Sequence, residues 1–291
     1  MILDSHIHIH YKQDDNRTID EIRTDYLNAL AEAGIDGSMV MSAKPRSFGW
    51  VSQEQKLEDV IEFCKGYDNL YPFFRLDPSL DNSMEMIEKA DAAGVMGFKI
   101  ICEDFYPHDE RVMSACRRIA ELKKPVLFHS GILWNGIDSA RYNRPGEYEC
   151  LLEVPGLKFC LAHVSWPWTD ECIAVYGKFN NAHLQRPDLS CEMFVDIAPG
   201  TPAIYRREVL MRLFCSDYQA EYNVMFGTDC NNLKYNVAWA KEWMARDKEI
   251  LKECFPDKYD DVIDHVYCKN FLRFIGKSDE KIDRIYPDVA V

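Results

Sequence analysis

Met1-Ile2-Leu3-Asp4-Ser5-His6-Ile7-His8-Ile9 opens the chain as an apolar run in which two histidines stand two residues apart. Residues i and i+2 of a strand project from the same face, so His6 and His8 point together while Ile7 and Ile9 face the other way. Two neutral imidazoles on one rigid strand can share a metal ion at ~2.0–2.1 Å. A pair of histidines alone is commonplace, and its meaning depends on what the rest of the chain brings beside it. His10 has the same parity but falls beyond the strand end.

Working outward, short apolar runs recur at residues 2–9, 37–41, 70–75, 96–101, 125–129, 157–162, 191–197 and 224–227. Amphipathic stretches of helical period separate them at 19–33, 53–65, 83–93, 111–122, 169–179, 202–214 and 235–247, with a terminal helix at 259–275. Alternation of this kind implies a parallel sheet with helical crossovers. Eight strands close naturally as a barrel, and 291 residues lie near the roughly 250 of such a barrel. No G-x-G-x-x-G follows the first strand, which argues against an open, doubly wound sheet. The prediction is an α/β fold, a (β/α)8 TIM barrel with a C-terminal helical extension, as one domain over residues 1–291. Gly34 and Gly94 directly follow helical runs and are expected to cap them.

Hydrophobic residues make up 47% of the chain, enough for a large core. The formal charge of −14 repels phosphate backbones and anionic lipid, so neither nucleic acid nor a membrane is expected as a partner. No apolar stretch approaches the ~20 residues that span a bilayer, and no basic leader precedes the first strand. The eleven cysteines show no C-x-x-C spacing and read as free thiols of a reducing compartment. The expectation is a cytoplasmic protein acting on a small molecule, with a homo-oligomer compatible.

Function in a barrel gathers at the C-terminal ends of its strands. The polar residues there are His6 and His8 from the first strand, Arg75 and Asp77 from the third, and Lys99 from the fourth. His129 ends the fifth, while His163 and Asp229 follow the sixth and eighth. Four histidines and a carboxylate on one rim point to a metal centre. Zinc is the preferred ion, ahead of iron, nickel and manganese. His108, His183 and His265 lie in helical or polar stretches and read as structural.

In this order the residues resemble the amidohydrolase superfamily, in particular its amidohydrolase-2 branch, which includes aminocarboxymuconate-semialdehyde decarboxylase. Asp4-Ser5-His6-Ile7-His8 looks like the opening D-x-H-x-H. Tyr71 to Pro78 and Gly97-Phe98-Lys99-Ile100 look like the third- and fourth-strand motifs, and Lys124 to His129 and Leu157 to His163 like the fifth and sixth. Phe226-Gly227-Thr228-Asp229 matches the eighth, and Asn270 to Gly276 the closing helix. The chain departs from the pattern at Val164-Ser165-Trp166-Pro167-Trp168, where a glycine-rich turn is usual. It departs again at Cys230-Asn231-Asn232, where an aromatic and a proline are usual.

The resemblance implies one divalent metal held by His6, His8, His129 and Asp229, with His163 as a catalytic neighbour. A binuclear site bridged by carboxylated Lys99, with His163 on the second ion, is the less favoured arrangement. The implied reaction is hydrolysis of a C–N or C–O bond in an amide, lactone or ester of a small, carboxylate-bearing substrate. Asp229 would carry the proton, and His163 would orient or polarise the scissile carbonyl. The alternative is nonoxidative decarboxylation of an aromatic or unsaturated acid on the same shell. Arg75, Lys99, Arg141 and Arg144 are candidate anion contacts, and Trp134, Trp166 and Trp168 candidate apolar walls. A phosphoesterase or nuclease is disfavoured by the acidic charge and by the few further carboxylates at strand ends. A non-catalytic barrel is disfavoured by the intact set of candidate ligands.

Overall fold

The computed structural model describes residues 1–10, 16–42, 52–185 and 191–282, apart from the side chains of His183 and Leu184. His183 therefore lies outside what can be compared with the sequence reading. Within those residues, nine parallel strands form one sheet: β1 (Leu3–His8), β2 (Gly37–Met41), β3 (Leu70–Arg75), β4 (Gly97–Ile100), β5 (Val126–Phe128), β6 (Lys158–Leu161), β7 (Glu192–Asp196), β8 (Val224–Met225) and β9 (Cys230–Asn231). The sheet runs β8-β7-β6-β5-β4-β3-β2-β1-β9. Its two ends are consecutive in the chain. The eighth strand is split, with β8 on β7 and β9 on β1, and Ser5 N–H bonds the carbonyl of Phe226 between them at 2.9 Å. The result is a TIM-barrel-like α/β fold.

Around the sheet lie α1 (Ile19–Ala33), α2 (Gln53–Cys64), α3 (Ser83–Ala92), α4 (Glu110–Glu121), α5 (Ser139–Tyr142), α6 (Thr169–Gln185), α7 (Ala203–Phe214) and α8 (Val237–Cys254). The fifth crossover is built differently from the others. Only the short α5 and a 3-10 stretch, Pro145–Glu153, join β5 to β6, which fits the lack of a helical run there in the sequence. α1 starts on a capping box in which Thr18 and Glu21 satisfy each other's backbone N–H. Gly34 and Gly94 follow α1 and α3 with φ of 78° and 88°, the left-handed geometry expected of them.

Strand parity sorts the core into two clusters. Phe74, Phe98, Phe128, Phe159 and Val195 face the helices. Met41, Phe73, Leu127, Cys160, Phe194 and Met225 fill the barrel. The chain then turns under the barrel through α9 (Tyr259–Asp264), a π-helical turn (His265–Lys269) and α10 (Asn270–Phe274). Phe271 and Phe274 join the inner cluster, with the Phe274 ring 5.1 Å from Phe194 and 6.3 Å from Phe73. β1 breaks strict alternation. Leu3 belongs to the inner cluster and Ile7 to the outer one, although both are odd-numbered. A register shift between Asp4 and Ile7 accounts for the change of side.

Candidate metal and active site

His6 and His8 reach the barrel mouth on β1, with ring centroids 5.1 Å apart. The Nε2 atoms of His6 and His8 lie 3.5 and 3.3 Å from Asp229 Oδ1. A metal-ligating atom of each residue falls within 4.8 Å of the other two, so one ion could bridge them. His6 Nδ1 lies 2.8 Å from Asp196 Oδ2. Only a protonated Nδ1 can donate to that carboxylate, which leaves Nε2 carrying a lone pair toward Asp229. That Nε2 is buried and makes no hydrogen bond among the described residues. An orphaned imidazole nitrogen aimed at a carboxylate oxygen is the chemistry a divalent cation satisfies, so the residues fit a metal.

Asp196 ends β7 and was not singled out in the sequence, though it follows an apolar run in the same way as Asp229. It is fully buried. Its Oδ1 accepts from the backbone N–H of His163 at 2.8 Å and of Ala198 at 3.0 Å. Burial alone would raise its pKa, but the charges and hydrogen bonds of His6 and His163 hold it below the usual carboxylate range. A second group of possible ligands, His6, His163 and Asp196, overlaps the first.

His163 lies in a tight left-handed turn. His163, Val164 and Ser165 have φ of 62°, 48° and 53°, a conformation in which a β-branched residue such as Val164 is strained. The turn is made without glycine, at the point where the sequence departs from the glycine-rich pattern. The N–H groups of Trp166 and Trp168 close the turn on the carbonyls of His163 and Ser165. His163 Nδ1 is 3.2 Å from the carbonyl of Ala198, which can only accept. The proton at that contact is therefore on Nδ1, and Nε2 is an acceptor. Burial pushes the His163 pKa down to about 4, so the ring is neutral at pH 7. In this tautomer the neutral ring presents Nε2 as a hydrogen-bond acceptor.

Asp229 is placed by a buried network. Its φ of 54° is held by Thr228, whose N–H and hydroxyl donate to Asp4 at 2.9 and 2.6 Å. Asp4 also accepts from His6 N–H at 3.1 Å and from the Tyr235 hydroxyl at 3.1 Å. Its burial raises its pKa to about 6 against those hydrogen bonds. Asp4 thus ties the start of the histidine strand to the turn that delivers Asp229. Gly227 lets these segments pass closely, since a Cβ there would meet His6 Cβ at 2.9 Å. Burial opposes ionisation of Asp229, but the hydrogen bond from His8 and the charges of His6 and His163 hold its pKa well below normal.

The pocket above this centre has a volume of about 400 Å³, and His129, His163, Asp229, Arg75 and Trp166 are part of its wall. His129 stands beside His163, with ring centroids 5.2 Å apart, and is not in the 4.8 Å group with His6, His8 and Asp229. Arg75 is buried in the wall, with Glu103 at 3.7 Å. Trp134 sits on the rim, 84% exposed, and Trp166 stacks on Tyr205 at 5.1 Å. Lys99 is buried and is not part of that wall, although its charge is felt by His163.

Other residues go elsewhere. Arg144 pairs with Glu171 and Arg141 bonds the Tyr106 hydroxyl, both outside the pocket wall. Trp168 lies under Arg144 rather than against the pocket. Asp77 caps the turn at Ser79. His10 donates its backbone N–H to Asn232, and its ring lies 6.3 Å from His8. His108 stacks on Tyr106. His265, placed in a polar stretch by sequence, is buried against Tyr222 and Asn270.

Residues 3–274 match the family model described as amidohydrolase. No curated protein matches the sequence. Among solved structures, an amidohydrolase from Burkholderia multivorans superposes with a TM-score of 0.63 at 10% identity, over 95% of this chain and 99% of that one. A 2,6-dihydroxybenzoate decarboxylase from Rhizobium gives 0.63 at 12% identity, over 95% and 98%. A probable 2-pyrone-4,6-dicarboxylic acid hydrolase from Acinetobacter baumannii gives 0.56 at 11%, over 94% and 99%. At these identities the likeness is one of fold.

Proposed function

The chain belongs to the amidohydrolase family, and on that premise we propose that it is a metal-dependent hydrolase of a small, carboxylate-bearing amide, lactone or ester. The observation that carries this reading is the convergence of His6 Nε2, His8 Nε2 and Asp229 Oδ1 below an open pocket. These three would hold one divalent ion, zinc by preference, and His129 would complete the shell from β5. When bound, the ion supplies Lewis acidity, which for zinc brings the pKa of water toward ~7. Asp229 would take a proton from the attacking water and return it to the leaving group. His163 Nε2 accepts a hydrogen bond from the substrate or the water and so orients it. Arg75 binds the carboxylate, and Trp166 and Trp134 flank the apolar part.

The second reading, nonoxidative decarboxylation of an aromatic acid, is favoured by one observation: His163 stands in the pocket wall with Nδ1 directed at the Ala198 carbonyl, which leaves Nε2 as the ring's acceptor beside a bound acid. The test is elemental analysis of the wild type, His6→Asn and His129→Ala, joined to turnover of amides, lactones and ortho-substituted aromatic acids with CO2 detection. Near-stoichiometric metal in the wild type, its loss in His6→Asn, and hydrolysis without CO2 are expected. Equal metal content in the wild type and His6→Asn would reject the centre. Equal content in His129→Ala would remove only that ligand, and CO2 release would establish the decarboxylase.

A further inference from the structure

Outside the pocket lies a buried charged pair with no part in the proposed chemistry. Arg206 of α7 and Asp247 of α8 are 1% and 0% exposed. Arg206 Nε and Nη2 donate to the two oxygens of Asp247 at 2.9 and 2.6 Å, a bidentate fork. The guanidinium stands 4.8 Å from the Trp243 ring centroid. Burying two ions costs about as much as their attraction returns, so such a pair is weak evidence of a stabilising role. Its third contact says more, because Nη2 also donates to the carbonyl of Ile197 at 2.7 Å.

Ile197 is the joint between the two residues that orient the histidines. On one side Asp196 holds His6 Nδ1 and the His163 backbone N–H. On the other, the Ala198 carbonyl meets His163 Nδ1 and the Ala198 N–H returns to Asp196 Oδ1. The N–H of Ile197 is fixed by the carbonyl of Met225 at 2.9 Å, and its carbonyl is fixed by Arg206.

We propose that Arg206, held in its rotamer by Asp247, is a positioning residue for the metal site. It locks the Ile197 peptide and thereby the Asp196 carboxylate that sets the ring of His6. The proposal rests on the metal reading above. A lysine could not serve, because one ammonium cannot fork a carboxylate and reach a carbonyl in a fixed plane.

The test uses the full-length, metal-stripped chain with Co2+ as probe, scoring affinity against a competing chelator and the visible absorption of bound Co2+. The decisive variant is Arg206→Met/Asp247→Leu, which removes the contact to Ile197 and keeps the apolar volume. Its thermal midpoint should stay near that of the wild type. Its Co2+ affinity should fall 10–100-fold, as for lost outer-shell partners of metal ligands, and the absorption should change shape. Asp247→Asn, a milder variant that keeps one acceptor, should weaken Co2+ binding several-fold. Wild-type affinity and spectrum in either folded variant would overturn the proposal and leave the metal reading standing. Failure of the wild type to bind Co2+, or equal binding by His6→Asn, would sink the metal reading and the proposal with it.

Discussion

At the scale of single residues, the site is governed by acceptors that fix which nitrogen of His6 and of His163 carries a proton. Asp196 does this for His6, and the Ala198 carbonyl does it for His163. Asp196→Asn offers one acceptor oxygen where the carboxylate offers two, so it should lower metal affinity by 10–100-fold in a chelator competition, with the fold retained. Unchanged affinity would reduce Asp196 to a packing role. Asp4 gives a pH signature. Its folded-state pKa is raised from 3.8 to about 6, so its contribution to stability is complete below about pH 4 and is lost as pH rises through 6. His163 acts in the opposite sense. Its folded pKa is depressed from 6.5 to about 4, so its contribution is present above 6.5 and is lost as pH falls toward 4. Removing Asp4 titration by Asp4→Asn should therefore make the unfolding free energy of metal-free protein rise more steeply between pH 4 and 6. Denaturant titrations across that window measure it, and parallel slopes would count against the raised pKa.

At the scale of elements, most boundaries follow from local chemistry, and the exceptions have tertiary causes. β2 and β3 have the bounds predicted, as does α1. α8 runs to Cys254 rather than stopping at 247, because Asp247 interrupts the apolar stripe that would have signalled the helix. Its buried positions continue through Ile250 and Leu251, and Arg206 neutralises the interruption. α4 ends differently from α1 and α3. Lys123 stands where they have glycine, with φ of 56°, and Lys124 N–H reaches back to the Ile119 carbonyl. Lys123 is exposed, so Lys123→Gly should relieve the left-handed strain and stabilise the protein by about 0.5–1 kcal/mol, since left-handed geometry costs an L-residue roughly 1–2 kcal/mol. A thermal midpoint that stays level or falls would show that the backbone there is not strained.

At the scale of the whole molecule, the barrel is closed at one end by α10 and open at the other over the site. Phe274, fully buried between Phe73 and Phe194, fills the closed end. Phe274→Ala should cost about 3–5 kcal/mol in denaturant unfolding while leaving metal content unchanged, because the cavity forms at the opposite end from the histidines. Loss of metal together with stability would mean that the two ends are coupled. No described helix is long and apolar enough to cross a membrane, and all eleven cysteines are free.

The sequence by itself determined the alternation of strands and helices, the parity that turns His6 and His8 to one side, and the strand ends where His129, His163 and Asp229 lie. These follow from periods of two and 3.6 residues and from where apolar runs stop, which neighbouring residues settle among themselves. Tertiary structure alone decided what orients the ligands. Asp196 meets His6 across 190 positions, and Asp4 meets Thr228 across 224. Tertiary structure also decided that Lys99 is buried, that Val164 adopts left-handed backbone geometry, and that Asp247 sits in a core. Each of these is a buried polar or strained group whose cost is offset only by a partner distant in the chain. No local pattern can show such a partner before the barrel brings it into contact.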